Sequence, residues 1–197
     1  MNYLAHAYLS FNQPEILVGN MISDFVKGKK KFDYADTIQK GITLHRAIDE
    51  FTDAHDATKQ AKSFFKKDYR LYSGAFVDVV YDHFLANDPN EFTKKTLKEF
   101  SSRVYGQLSV YEDFFPEKFK KMFYYMRSDD WLFNYQFKQN IYKSFAGLVR
   151  RALYMDEYQT AYTIFETNYN ELKLCYENFF PLVKNFAFEK MNSLLLQ

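Results

Sequence analysis

Only six glycines and four prolines punctuate 197 residues, and most of that punctuation falls between stretches of helical periodicity. Residues 2–11 read as a short helix. Pro14 suits the first turn of a second helix, whose apolar positions Ile16, Leu17, Met21, Ile22, Phe25 and Val26 lead to a stop at Gly28. Asp33 or Asp36 is placed to cap a third helix reaching about Thr52, with Ile38, Ile42 and Ile48 on its apolar side. A Lys-rich helix follows at 56–67, and residues 73–86 are apolar almost all round, which reads as a buried helix. Further helices are expected at 90–111, 116–128, 129–154 and 156–193, with Pro116 at a start and Pro181 interrupting or kinking the last. No segment reads as an alternating strand, a repeat or an interdomain linker. The expectation is an all-α fold: an irregular multi-helix bundle forming a single domain over residues 1–197, with the chemistry in 1–90 and an aromatic-rich helical part in 91–197.

Hydrophobic residues make up 47% of the chain, too many for a disordered one. The 22 Phe and 17 Tyr imply thick layers of rings, with polar partners wherever a tyrosine is buried. Charges nearly cancel, at 26 basic against 25 acidic residues, which argues against bulk binding to nucleic acid. The lone Cys175 excludes an intrachain disulfide and fits a reducing, cytoplasmic setting. The start lacks the basic and apolar runs of a signal peptide, and no apolar stretch approaches the roughly 20 residues that cross a bilayer, so no membrane partner is expected.

All four histidines, His6, His45, His55 and His83, precede residue 84. On a helix, positions 45, 49, 52 and 53 share one stripe, which aligns His45, Asp49, Thr52 and Asp53. Asp78 and Asp82 repeat a four-residue spacing, His83 follows directly, and Asp24 sits between Ile22 and Phe25. An ionised aspartate buried in an apolar helix costs on the order of several kcal/mol after relaxation. Arg46 alone does not offset three or four of them, whereas a divalent cation does, and mixed His/Asp ligation suits such a cation with open positions for water. A metal so held lowers the pKa of bound water and makes a nucleophile near neutral pH. The plainer readings are hydrogen-bonded core histidines and helix-capping aspartates. Asp33, Asp36, Asp88 and Asp129 need nothing more than capping, and His55 reads as idle at a helix end.

At these residues the sequence resembles the bacterial acyl carrier protein phosphodiesterases, also called acyl carrier protein hydrolases, within the wider HD-domain group of metal-dependent phosphohydrolases. The matching blocks are Asn2–His6, Gly19–Gly28, Gly41–Asp53 and Asp78–Leu85, in the family's order and at about its spacing. The resemblance implies an HD-domain-like helical fold. It also implies hydrolysis of the phosphodiester that joins the phosphopantetheine arm to a serine of holo-acyl carrier protein. A divalent metal is implied, Mn²⁺ first and Mg²⁺ or another next. By position, His6, Asp24, His45, Asp82 and His83 fall in the metal set. Arg46 then holds a phosphate oxygen, and Asp49 and Asp53 orient ligand imidazoles or the attacking water. The order Asp82-His83 reverses the His-Asp pair for which the HD group is named. Because acyl carrier proteins are acidic, Lys27, Lys29, Lys30 and Lys31 are the expected docking cluster, with Lys59, Lys62, Lys66 and Lys67 a second; a solvated helix end is the plainer account of both. Two other functions fit the residues: a phosphohydrolase acting on a nucleotide or other small phosphodiester, and a non-enzymatic helical binding module. Oligomeric state is left open by the sequence.

Overall fold

A computed structural model describes residues 1–196. Among them are eleven α-helices and no strand: α1 Tyr3–Tyr8, α2 Pro14–Ile22, α3 Asp36–Ala54, α4 Asp56–Tyr69, α5 Ser73–Ala86, α6 Lys94–Val110, α7 Glu117–Ser128, α8 Trp131–Asn134, α9 Lys138–Arg151, α10 Gln159–Thr167 and α11 Tyr169–Leu195. One continuous apolar core reaches from Met1 to Leu194. No described helix is long and apolar enough to cross a membrane.

Local chemistry sets most of the boundaries. Pro14 takes the first turn of α2, where its missing N–H goes unneeded. Thr93 and Thr96 form a reciprocal capping box at the start of α6. His55 ends α3 and caps α4, its Nδ1 accepting from the Ala57 amide at 3.2 Å. The second helix stops at Ile22, short of Gly28; the chain continues through the tighter turns Ser23–Phe25 and Gly28–Asp33, and only at Gly28 does φ turn positive, to 60°. Neither Asp33 nor Asp36 caps α3. Ala35 holds the cap position without a side-chain bond, and Asp36 pairs instead with Lys40 at 2.7 Å. The expected helix over 129–154 breaks into α8 and α9, with Asp130 in the left-handed region at φ 47°. The expected 156–193 helix breaks at Asn168, yet α11 runs straight through Pro181. Phe179, Phe180 and Val183 are buried on either side of that proline and hold α11 to the core despite the lost backbone bond.

Helix α5 is the centre of the bundle. Phe76, Val77, Val80, Tyr81 and Leu85 are fully buried on it, and it packs against α1, α4, α9 and α11. Phe76 meets Phe65 of α4 in a stacked pair at 5.7 Å and Phe145 of α9 edge-on at 4.9 Å. Burying each such ring stabilises the fold by about 1.5–3 kcal/mol. The other contact that positions the site is the crossing of α2 and α3. A Cβ on Gly19 would lie 2.1 Å from the Ile38 carbonyl oxygen, and one on Gly41 would lie 2.4 Å from that of Ile16. Only two glycines let these backbones touch.

Candidate metal centre

The close approach of α2 to α3 sets His45 directly beneath Asn20. Asn20 lies in the last turn of α2, where backbone carbonyls lack intrahelical donors. Its carbonyl accepts from Nδ1–H of His45 at 2.7 Å. Its side chain, fully buried, serves the second imidazole: Oδ1 accepts from Nδ1–H of His6 at 2.8 Å. Its amide donates to the His6 carbonyl at 2.9 Å and to Ser10 Oγ at 3.0 Å. One residue therefore fixes the Nδ1 atoms of two histidines from two different helices. The rings stack with centroids 3.9 Å apart and 15° between planes.

With both Nδ1 atoms occupied, both Nε2 atoms face the same way, toward Asp49 one turn along α3 from His45. His6 Nε2 lies 3.2 Å from Asp49 Oδ1, and His45 Nε2 lies 3.1 Å from Asp49 Oδ2 and 3.3 Å from Asp24 Oδ1. Asp24 reaches in from the turn that follows α2. Beyond Asp49, the Met1 nitrogen sits between Asp49 and Asp78, donating to Asp78 Oδ1 at 3.0 Å. The cluster is buried beneath and open above: the His6 and His45 side chains are 4% and 7% exposed, Asp49 and Asp24 41% and 66%.

The electrostatics follow from this placement. Burial pushes His6 down to about 4, helped by the neighbouring His45. Burial also opposes charge on His45, but contacts with Asp24 and Asp49 outweigh it and raise that imidazole to about 9. The His45 contact, ahead of the opposing effect of burial, lowers Asp24. Burial alone would raise Asp49, yet its contacts with His45 and His6 hold its carboxyl well below the usual range. Of the two stacked rings, His45 is the one whose carboxylate contacts favour a second N–H proton.

His6, His45 and Asp49 each offer a ligand atom, all within 4.8 Å of one another. His6 Nε2 is buried and makes no well-aligned hydrogen bond, its nearest polar neighbour being Asp49 Oδ1 at 3.2 Å. Two imidazoles tautomerically fixed through Nδ1, with a carboxylate opposite, are donors of the kind a divalent metal takes. The residues present fit such an ion.

Other expected site residues lie elsewhere. Asp82 turns to α1, accepting from the Leu4 and Ala5 amides at 2.7 and 3.1 Å. It caps that helix from a neighbouring one, since Asn2 makes no side-chain cap bond. Burial pushes its carboxyl up to about 7 against the pull of those two amides. His83 points into the far side of α5, donating from Nδ1 to the Tyr135 carbonyl at 2.7 Å and meeting the Tyr169 hydroxyl at 3.0 Å. Asp53 pairs with Lys62 at 2.6 Å. Arg46 donates to the Val26 carbonyl at 3.0 Å. Lys27, Lys29 and Lys30 are exposed and Lys31 half-buried over the Phe32 ring. Sequence spacing gave no signal for the part played by Asn20, whose importance lies in joining two helices. Beside the cluster a cavity of about 770 Å³ begins at Asp24 and Asp78 and is walled by residues from the C-terminal half.

Comparison with known proteins places the chain in a family. The family model described as acyl carrier protein phosphodiesterase matches residues 1–183. The chain is 30% identical to the acyl carrier protein phosphodiesterase of Yersinia pestis, covering 96% of this chain and 99% of that protein. It is 27% identical to the one from Photorhabdus laumondii (96% of each) and 29% identical to the one from Pectobacterium atrosepticum (95% and 97%). No solved structure matches. A match over nearly the whole length means that the chain belongs to the acyl carrier protein phosphodiesterase family.

Proposed function

We propose that this protein is a metal-dependent phosphodiesterase that removes the phosphopantetheine arm from holo-acyl carrier protein, and that His6, His45 and Asp49 hold the metal with Asp24 beside them. The observation that carries this reading is the convergence of His6 Nε2, His45 Nε2 and the Asp49 carboxylate, ligand atoms that all lie within 4.8 Å of one another. Family membership supports the substrate, since the relatives carry it in their names. Mn²⁺ is the proposed ion and Mg²⁺ the next; a helix-borne His/Asp centre also favours kinship with HD-domain phosphohydrolases, and a cytoplasmic setting fits the substrate.

In this reading water attacks phosphorus, the bond to the serine oxygen breaks, and the products are apo-carrier protein and phosphopantetheine. A divalent cation supplies a lowered water pKa and charge for the phosphoryl oxygens. Asn20 holds both imidazoles in the tautomer that leaves Nε2 free. Asp49 and Asp24 draw His45 Nε2 into line, and Asp24, the most exposed of the four, reaches the cavity where substrate enters. Asp82 supports the site by fixing the start of α1, which carries His6. Lys27, Lys29, Lys30 and Lys31 have no carboxylate within 4.0 Å among the described residues and offer an acidic carrier a docking face. His45 raised to about 9 favours a second reading, in which a proton takes the cation's place and the cluster is a buried ion network.

The test is incubation with holo-acyl carrier protein and Mn²⁺, followed by intact-mass measurement of the carrier. Loss of the arm's mass, abolished by Asp24→Ala or His45→Ala with helical content kept, supports the reading. An unchanged carrier mass removes it. Metal analysis of protein purified without chelator separates the second reading, which requires a metal-free protein.

A further inference from the structure

The cavity at Asp24 and Asp78 does not end beside the cluster. A second cavity of about 720 Å³ adjoins it, and both are walled by Asn2, Tyr3, Asp129, Trp131, Leu148, Arg150 and Arg151. The first belongs to the cluster end, the shared residues form the waist, and Asn140, Lys143, Ser144 and Gly147 of α9 line the far end. Together they make a trough that leads from the candidate metal centre along α9.

Its lining has a definite chemical character. Tyr3 and Trp131 stand with ring centroids 6.5 Å apart as an aromatic wall. Lys118, Lys143, Arg150 and Arg151 project into solvent around it, and among the described residues none has a carboxylate within 4.0 Å. Many other cations of the chain are paired, including Lys62, Lys98 and Lys184. Outside the cluster end the trough's own acid is Asp129. Arg150 and Arg151 also complement the C-terminus of α9. That accounts for positive charge at this helix end, but not for unpaired cations gathered from α7 and α9 around one cleft.

We infer that the trough seats the phosphopantetheine branch of the substrate, with Arg150 and Arg151 as positioning residues next to the phosphate and the α9 surface around Gly147 receiving the amide-bearing arm. The inference rests on the proposed function, and the choice of occupant follows from shape. A phosphodiester has two branches. The carrier branch is a folded protein and does not enter a cleft of this size, so the slender branch takes it. That branch bears amides, a hydroxyl and geminal methyl groups, which match the Asn140 and Ser144 donors and the Tyr3, Trp131 and Leu148 walls. Each of the two cavities that make up the trough falls in the range of about 300–1,000 Å³ in which ligand sites are found. Arg46, engaged with the Val26 carbonyl, is not among the lining residues.

Gly147→Leu tests this directly. The nearest atom to a Cβ there is Arg150 Nη2 at 4.0 Å, so a small side chain meets no backbone, and leucine extends into the trough. Leucine also favours the helix over glycine, so lost binding does not come from a weakened α9. Calorimetric titration of 4′-phosphopantetheine and of pantetheine into the full-length protein, with and without Mn²⁺, should show at least tenfold weaker binding of both in Gly147→Leu, with the melting temperature equal or higher. Arg151→Gln should weaken 4′-phosphopantetheine more than pantetheine. Equal affinities in wild type and Gly147→Leu, or no binding by wild type, overturn the inference. Binding of 4′-phosphopantetheine without any change in carrier mass overturns the activity instead and leaves the trough assigned.

Discussion

Asn20→Ala would separate the supporting role of one buried amide from the ligands it holds. The side chain makes three hydrogen bonds, to His6 Nδ1, the His6 carbonyl and Ser10 Oγ, all buried. Each such bond contributes about 0.5–1.5 kcal/mol net, and a buried polar atom left unpaired costs about 1–3 kcal/mol. The His6 carbonyl keeps its bond from Ser10 Oγ at 2.8 Å, so His6 Nδ1 is the main orphan. The expected loss is about 2–4 kcal/mol, read as a lower denaturation midpoint in urea with an unchanged slope. The bond from His45 to the Asn20 backbone survives, because its acceptor is main chain. His6 alone loses its fixed tautomer, and Mn²⁺ affinity should fall by about 10–100-fold, the usual cost of removing a group that orients a ligand. Asn20→Asp should keep His6 oriented, since a carboxylate still accepts from Nδ1–H, while losing stability where its oxygen faces the His6 carbonyl. Metal affinity in Asn20→Ala equal to wild type would refute the claim that Asn20 presents His6 Nε2.

Four further outcomes are expected. Gly19→Ala should destabilise by about 3 kcal/mol or more or prevent folding, because its methyl would lie 2.1 Å from the Ile38 carbonyl oxygen; thermal melting checks this. Divalent metal uptake should release about one proton near pH 7, because His45, raised to about 9, must lose its proton to use Nε2. Apparent affinity then climbs about tenfold per pH unit up to about 9 and levels off, and calorimetry in buffers of different ionisation enthalpy reads it. In the metal-free protein the His45 contribution to stability is full below its ordinary value of 6.5 and fades as pH rises through about 9. His83→Gln should lower stability with metal affinity kept, whereas His6→Gln should lose metal; denaturation and metal titration separate them. Charge reversal at Lys29, Lys30 and Lys31 should raise KM for holo-carrier protein with kcat kept.

The helical content was legible because helix-forming periodicity is local. Helix ends were less so. The break between α8 and α9 depends on Asp130 adopting a left-handed backbone, and nothing in Asp129-Asp130-Trp131 demands it. Pro181 pointed to an interruption that packing on both sides of α11 overrides. Helix α2 stops at Ile22 and a tighter turn brings Asp24 to His45, a tertiary arrangement that the pattern leading to Gly28 does not contain.

The site divides along the same line. His6, Asp24 and His45 were singled out and do converge, and the stripe on α3 placed Asp49 one turn from His45. Asp82 and His83 read as a unit in the sequence because they are adjacent and both bear chemistry. On a helix, neighbours point about 100° apart, so the two side chains leave α5 in different directions, one to cap α1 and the other to the Tyr135 carbonyl. A cluster gathered from α1, the turn after α2, and α3 has no sequence period at all. Its trace lies in the residues that let helices meet, Gly19 against Gly41 and Asn20 between two imidazoles. A buried Asn following a glycine at a helix crossing therefore deserves the same weight as a histidine, because it decides which nitrogen the histidine offers.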